Sequence, residues 1–176
     1  MAILARINDQ IVNSLGGLKK FFTQGECVAI SNYLDARLVR FLNVDSRDDA
    51  LAQLIQLLEN EGKLKNTQVF HDAILEREKI VSTGIGLEVA IPHAKLQGYD
   101  EFFIAIGIQG KKGIEWNALD GAPVRLIFMI GGPENQQTEY LKILSHLTMA
   151  IKNEERRKKL LKTYDARDVI VLFAGC

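Results

Sequence analysis

Apolar positions recur along this chain at spacings that switch between helical and strand periods. Near the start, Leu4, Ile7, Ile11, Leu15, Leu18 and Phe22 follow one another at three- and four-residue steps. That period predicts an amphipathic helix, interrupted at Gly16-Gly17. Gly25 and Glu26 mark a link, so residues 1–29 read as a helical arm and 30–176 as the main domain. The arm's apolar stripe calls for a covering surface, either its own domain or a second copy in a homo-oligomer. Its polar side carries little excess of Lys or Arg, which argues against a membrane surface.

The main domain reads as alternating layers. Residues 46–60 predict a helix with Ser46 as N-cap, Asp49 completing a capping-box-like start, and Leu51, Leu54, Ile55 and Leu58 as the buried stripe. Glu61-Gly62 ends it. A second helix is expected over 68–78, capped by Asn66 or Thr67, with Phe70, Ala73 and Ile74 inward. Phe102 to Ile108 is continuously apolar, as a strand covered on both faces would be. A short strand is expected at 114–116 and a turn at Asp120-Gly121. A buried strand follows over 124–130, with Gly131-Gly132-Pro133 stopping it. A long helix then covers 136–152, and two shorter ones cover 154–163 and 166–174, the last capped by Asp165. The fold class is α/β, a mixed central β-sheet flanked by helices on both sides.

Charge narrows the function. Lys and Arg number 22 and Asp and Glu 22, which gives no electrostatic case for a nucleic acid or an anionic membrane. The length suits one domain with a real core. Cys27 and Cys176, far apart, form neither a disulfide framework nor a metal motif. His71, His93 and His146 lack ligand spacing, so no metal and no other cofactor is expected. No leader pattern or membrane span is recognised, and a reducing cytoplasm is the expected location.

The candidate chemistry lies in Ser82-Thr83-Gly84-Ile85-Gly86-Leu87-Glu88-Val89-Ala90-Ile91-Pro92-His93. A glycine-rich turn leads into a buried strand, Val89 to Ile91. Pro92 lacks an N–H, so pairing is expected to stop there, leaving His93 at the rim of a sheet. A histidine so placed is either a polar cap on the core or a nucleophile, since its pKa of about 6.5 leaves a neutral nitrogen near pH 7. Arg77 follows Phe70 by seven residues and so projects from nearly the same helix face. It is either an ordinary ion-pair partner or a clamp on an anion. Thr83, Gly84 and Gly86 either line a pocket with N–H groups and a hydroxyl or form a plain turn into the strand.

The run Ser-Thr-Gly-Ile-Gly-x-x-x-Ala-Ile-Pro-His resembles the phosphorylation-site signature of type-2 (fructose/mannitol-like) enzyme IIA domains of the phosphoenolpyruvate-dependent phosphotransferase system. The resemblance includes Glu76-Arg77-Glu78-Lys79, Gly113-Ile114-Glu115-Trp116, Asp120-Gly121-Ala122-Pro123-Val124 and Glu139-Tyr140-Leu141-Lys142-Ile143-Leu144. It implies that His93 carries a phosphoryl group on Nε2 with Nδ1–H held by the backbone, and that Arg77 belongs to the active site. It also implies a phosphocarrier protein as donor, with an enzyme IIB or regulated target proteins downstream. Two positions depart from the pattern. Tyr140 stands where many relatives carry a second histidine on the long helix, and Glu88 stands where glycine is common. Tyr140 offers the pocket a neutral hydroxyl in place of an imidazole. Strand alternation puts Glu88 on the face of Ala90. His146, six residues from Tyr140, falls well around the helix and reads as structural. His71 reads as solvated.

Three functions remain in view: a phosphoryl carrier of the nitrogen-regulatory branch, a dedicated sugar-transport IIA component, and an interaction module that has lost phosphoryl flux. The absence of a recognisable IIB, permease or DNA-binding motif in this sequence leans toward the regulatory branch.

Overall fold

The computed structural model describes residues 30–174. The predicted arm helix over 1–29, and with it the expected homo-oligomer contact, lies outside the described residues, as does Cys176. After a short 3-10 turn at Ile30–Tyr33, the chain runs β1 (Leu34–Leu42), α1 (Arg47–Asn60), α2 (Thr67–Ile80), β2 (Gly84–Gly86), β3 (Val89–Ala90), β4 (His93–Leu96), β5 (Phe103–Gln109), β6 (Leu126–Pro133), α3 (Gln137–Lys152), α4 (Glu154–Leu160) and α5 (Ala166–Val171). The sheet is mixed, in the order β1-β5-β6-β3-β2, with β4 also paired to β6.

The helices start where the caps predict. The Ser46 hydroxyl accepts the Asp49 N–H and donates to its carboxylate, and Asn66 accepts the Val69 N–H. Asp165 accepts the Arg167 N–H at the start of α5. Leu51, Leu54, Leu58, Phe70 and Ile74 of α1 and α2 cover one face of the sheet with Ala105, Ile127 and Met129. Tyr140, Ile143, Leu147 and Val169 of α3 and α5 cover the other face with Ile104, Phe128 and Ile130. β5 is buried throughout, as its apolar run predicts.

Three expectations are corrected. Ile114 to Trp116 forms only an isolated bridge, Ile114 to Val124, because Trp116 turns inward as a fully buried ring. β6 does not stop at Gly131-Gly132 but runs through both glycines to Pro133, paired with β4. The glycines are needed for space: a Cβ on Gly131 would run into the rings of Phe103 and Phe70, and one on Gly132 into Phe102. The third concerns Gly84 and Gly86, which lie in a strand rather than in the turn. The turn is Leu87-Glu88, with φ of 60° and 63°, a two-residue hairpin loop with both central residues left-handed. Leu87 N–H donates to Asp120 at 2.9 Å, and the Glu88 carbonyl takes the N–H groups of Arg125 and Leu126, which holds this costly backbone in place.

β3 and β4 lie end to end along one edge of β6. Val89 and Ala90 face Leu126 and Ile127, and His93 to Leu96 face Ile130 to Pro133. Together they make one strand interrupted at Ile91-Pro92. Pro92 has no N–H to give the ladder, but its carbonyl takes the Ile130 N–H at 2.9 Å and regular pairing resumes at the next residue, so His93 opens a strand instead of ending one.

Gly131→Ala is expected to lower stability by about 1–3 kcal/mol, the usual cost of overpacking a filled core. Urea unfolding monitored by circular dichroism checks this; an unchanged midpoint would show that the two phenylalanine rings have room to move.

Candidate functional site

The break in the strand arranges the histidine. His93 Nδ1 lies 2.9 Å from the Ile91 carbonyl oxygen. That oxygen can only accept, so Nδ1 carries the proton. Arg77 Nε donates to His93 Nε2 at 3.0 Å, and its Nη1 donates to the Val81 carbonyl at 2.9 Å. A guanidinium can only donate, so Nε2 carries a lone pair. The two partners together fix one neutral tautomer. Burial pushes the His93 pKa down to about 4, with the charges of Arg77 and Lys95 adding to the effect and the Ile91 hydrogen bond opposing it.

Arg77 has no carboxylate within ion-pair distance among the described residues. Its geometry is that of a cation resting on a nitrogen lone pair, not of a surface ion pair. α2 runs to Ile80, two residues past the expected end, so the arginine sits in the helix's last turn.

Tyr140, on the first turns of α3, packs its ring against the imidazole with centroids 5.6 Å apart. Its hydroxyl is buried without a hydrogen-bond partner, and burial raises its pKa, with Arg77 opposing. Lys95 completes the group. Its ammonium lies 4.6 Å from the Tyr140 ring centroid and bonds the Gln137 side-chain oxygen. Burial lowers the Lys95 pKa, with Glu134 opposing.

Thr83, Gly84 and Gly86 have other work. Glu78, buried at the end of α2, accepts the Thr83 N–H at 3.0 Å, the Thr83 hydroxyl at 2.7 Å and the Trp116 indole N–H at 2.8 Å. The Thr83 hydroxyl is therefore committed to a core carboxylate and does not line the pocket. Gly84 lets the 117–121 segment approach: a Cβ there would meet Ala118 at 2.9 Å. Gly86, at φ 86°, leaves room for the Asp120 carboxylate that secures the hairpin. These residues set the position of the strand leading to His93. Glu88, expected on the face of Ala90, is in the turn, half-exposed and 3.6 Å from Arg125. The β6 register places it five residues from His93 along the strand, about 17 Å away, so its charge does not oppose an anion at Nε2. His146 is half-buried on α3. His71 is also half-buried, with Nδ1 3.7 Å from Asp72.

Two participants were legible but unread. Glu78 follows Phe70 and Ile74 at four-residue steps, which put a carboxylate on a buried stripe. Lys95 follows His93 by two, which in a strand means the same face.

A phosphoryl-transfer site is what these groups resemble: an unprotonated imidazole nitrogen, a guanidinium, an ammonium and an unsatisfied hydroxyl. Residues 32–175 match the family model described as phosphoenolpyruvate-dependent sugar phosphotransferase system, EIIA 2. The chain belongs to this enzyme IIA family. The family acts in phosphoryl transfer. A fructose-specific EIIABC component of Bacillus subtilis is 38% identical over 132 residues, 74% of this chain and 20% of that protein, so the chain spans about a fifth of its length. A nitrogen regulatory protein of Bradyrhizobium diazoefficiens is 31% identical over 76% of this chain and 86% of its own. The crystal structure of nitrogen regulatory protein IIA-Ntr from Neisseria meningitidis superposes with a TM-score of 0.75 at 30% identity, covering 82% of this chain and 99% of that one. No described helix is long and apolar enough to cross a membrane.

The depressed pKa of His93 has a stability consequence. The unfolded chain protonates this histidine near its ordinary value of about 6.5, while the folded enzyme IIA domain resists to about 4. The contribution is fully present above the unfolded pKa and is lost as pH falls from about 6.5 to about 4. Urea unfolding of the wild type and of His93→Gln across that range tests it. The wild type is expected to lose stability relative to the variant as the solution is acidified. A pH-independent gap would contradict the buried neutral tautomer.

Proposed function

We propose that His93 is the phosphoryl acceptor of this enzyme IIA domain and that the chain works as a transient phosphohistidine carrier. The observation that carries the reading is the fixed tautomer: Nδ1–H on the Ile91 carbonyl and the Nε2 lone pair under the Arg77 guanidinium. Nε2 attacks the phosphorus of the phosphocarrier donor. The new N–P bond forms as the bond to the donor atom breaks, and that electron pair stays with the donor. No proton has to leave His93, because Nδ1–H remains on Ile91. Arg77 gives up Nε2 and turns its N–H groups onto phosphoryl oxygens, where two parallel bonds are strong. The transferred group needs positioning and charge more than covalent help, and the unpartnered Tyr140 hydroxyl supplies a neutral donor.

For the role in the cell, the match over nearly the full length of nitrogen regulatory relatives supports a regulatory carrier. In that role phosphorylation state would control binding to target proteins. The second reading is a sugar-transport component passing phosphate to an enzyme IIB. It is favoured by the higher identity, 38%, to the fructose-specific protein.

Incubation with phosphoenolpyruvate and the upstream phosphotransfer proteins, followed by intact-mass measurement, tests the carrier role. One phosphoryl group is expected on the wild type and none on His93→Ala. A signal that survives in that variant, or moves to His146, overturns the assignment. Arg77→Lys keeps the charge but loses the fork; it is expected to fold normally and to accept phosphate about tenfold or more slowly, the usual scale of a charge-assisted bond. A normal rate would remove the clamp.

A further inference from the structure

We propose that Lys95 is a second phosphoryl-binding cation of this site, its ammonium meeting one oxygen of the group carried by His93 while Arg77 meets another. The inference rests on His93 being the acceptor and adds a residue to that reading.

Strand geometry comes first. Ala94 points into the core beneath α1 and α2, so His93 and Lys95 share the opposite face of β4. On that side α3 presents Tyr140, whose ring touches both: 5.6 Å to the imidazole centroid and 4.6 Å to the ammonium. The aromatic ring thus acts as a shelf joining the nucleophile to a cation, and the attraction of an ammonium for an aromatic face holds the lysine there.

The second observation is what Lys95 binds. Its contacts are the Tyr140 ring and the Gln137 side-chain oxygen, both uncharged. Lys65, Lys79, Lys112 and Lys158 each lie within ion-pair distance of a carboxylate, at 3.8, 2.6, 2.6 and 2.8 Å, while among the described residues Lys63, Lys111, Lys142, Lys152, Lys159 and Lys162, like Lys95, do not. Lys95 has no such partner among the described residues. Nearby acids do not take it: Glu139 receives the Tyr33 hydroxyl at 2.7 Å, and Glu134 lies beyond ion-pair distance. Swinging from Gln137 to a phosphoryl oxygen breaks no ion pair and strands no carboxylate, so the exchange is favoured.

The third is the Tyr140 hydroxyl, buried and without a hydrogen-bond partner, and near enough to Arg77 to feel its charge. A buried hydroxyl left unpaired is costly. A tetrahedral anion on Nε2 would give it an acceptor and give both cations their counter-charge. Here the phenol is neutral, and Lys95, lying across its face, supplies the charge. The phosphoryl transfer itself is unchanged: Lys95 forms no covalent bond and moves no proton.

Single-turnover phosphorylation by the phosphocarrier protein, measured over a range of donor concentrations, tests this in Lys95→Met and Lys95→Arg. Lys95→Met keeps the length of the stem and loses the charge. Its rate at saturating donor is expected to fall about tenfold or more, with Lys95→Arg recovering most of the loss. A wild-type rate in Lys95→Met, a loss confined to the donor concentration needed for half-saturation, or no recovery with arginine overturns the proposal. Should Lys95→Met unfold, Lys95→Gln is measured in its place by the same criteria. If the wild-type protein itself takes no phosphate, it is the carrier reading that has failed.

Discussion

One carbonyl outside the regular ladder organises this site. Ile91 and Pro92 interrupt what would otherwise be a continuous strand along β6, and Pro92 has no N–H with which to pair. The interruption bends the chain enough for the Ile91 oxygen to receive the imidazole proton of His93, two residues on. That hydrogen bond sets which nitrogen bears the lone pair, and the rest follows: Arg77 rests on Nε2, and Tyr140 closes one side of the ring. The scaffold exists to keep this short segment still. Ile91 N–H is tied to Thr83, Thr83 to Glu78, and Glu78 to Trp116. The signature glycines act in that scaffold by letting neighbouring backbone and carboxylate come close.

Electrostatics explains why such a site is poised and not merely positive. Burial of the imidazole, with the charges of Arg77 and Lys95 adding to it, holds His93 neutral well below its ordinary range. A protonated histidine would be no nucleophile, so the repulsion that makes the pocket hungry for an anion also preserves the lone pair that receives it. Charge balance over the whole chain, 22 against 22, hides this local excess. The Glu88 carboxylate is held by Arg125 at the other end of the strand.

The layered fold was legible because its helices and its central strand β5 obey simple periods and caps: Ser46, Asn66 and Asp165 act where the sequence places them. What escaped was set by contacts between distant residues. Gly131 and Gly132 look like a stop signal, yet they are the only residues that fit beside Phe102, Phe103 and Phe70. Leu87 and Glu88 carry no turn signature, and their left-handed backbone depends on Asp120, more than thirty residues away. At the site, His93, Arg77 and Tyr140 converge. The hydroxyl of Thr83 does not, because a buried carboxylate one residue past Arg77 claims it. Lys95 went unread because His93 was placed at a strand's end, where the two-residue period has no meaning; once His93 opens a strand, the lysine is on its face.

The central claim is that Nε2 of His93 is the unprotonated nitrogen and receives the phosphoryl group while Nδ1 keeps its proton on Ile91. Long-range proton–nitrogen correlation of the imidazole, recorded on the free and the phosphorylated full chain with phosphorus coupling, reads both nitrogens directly. The account expects a protonated Nδ1 and a lone pair on Nε2 in the free protein, then phosphorus coupled to Nε2 after transfer. Phosphorus on Nδ1, or a free protein with its proton on Nε2, would contradict it.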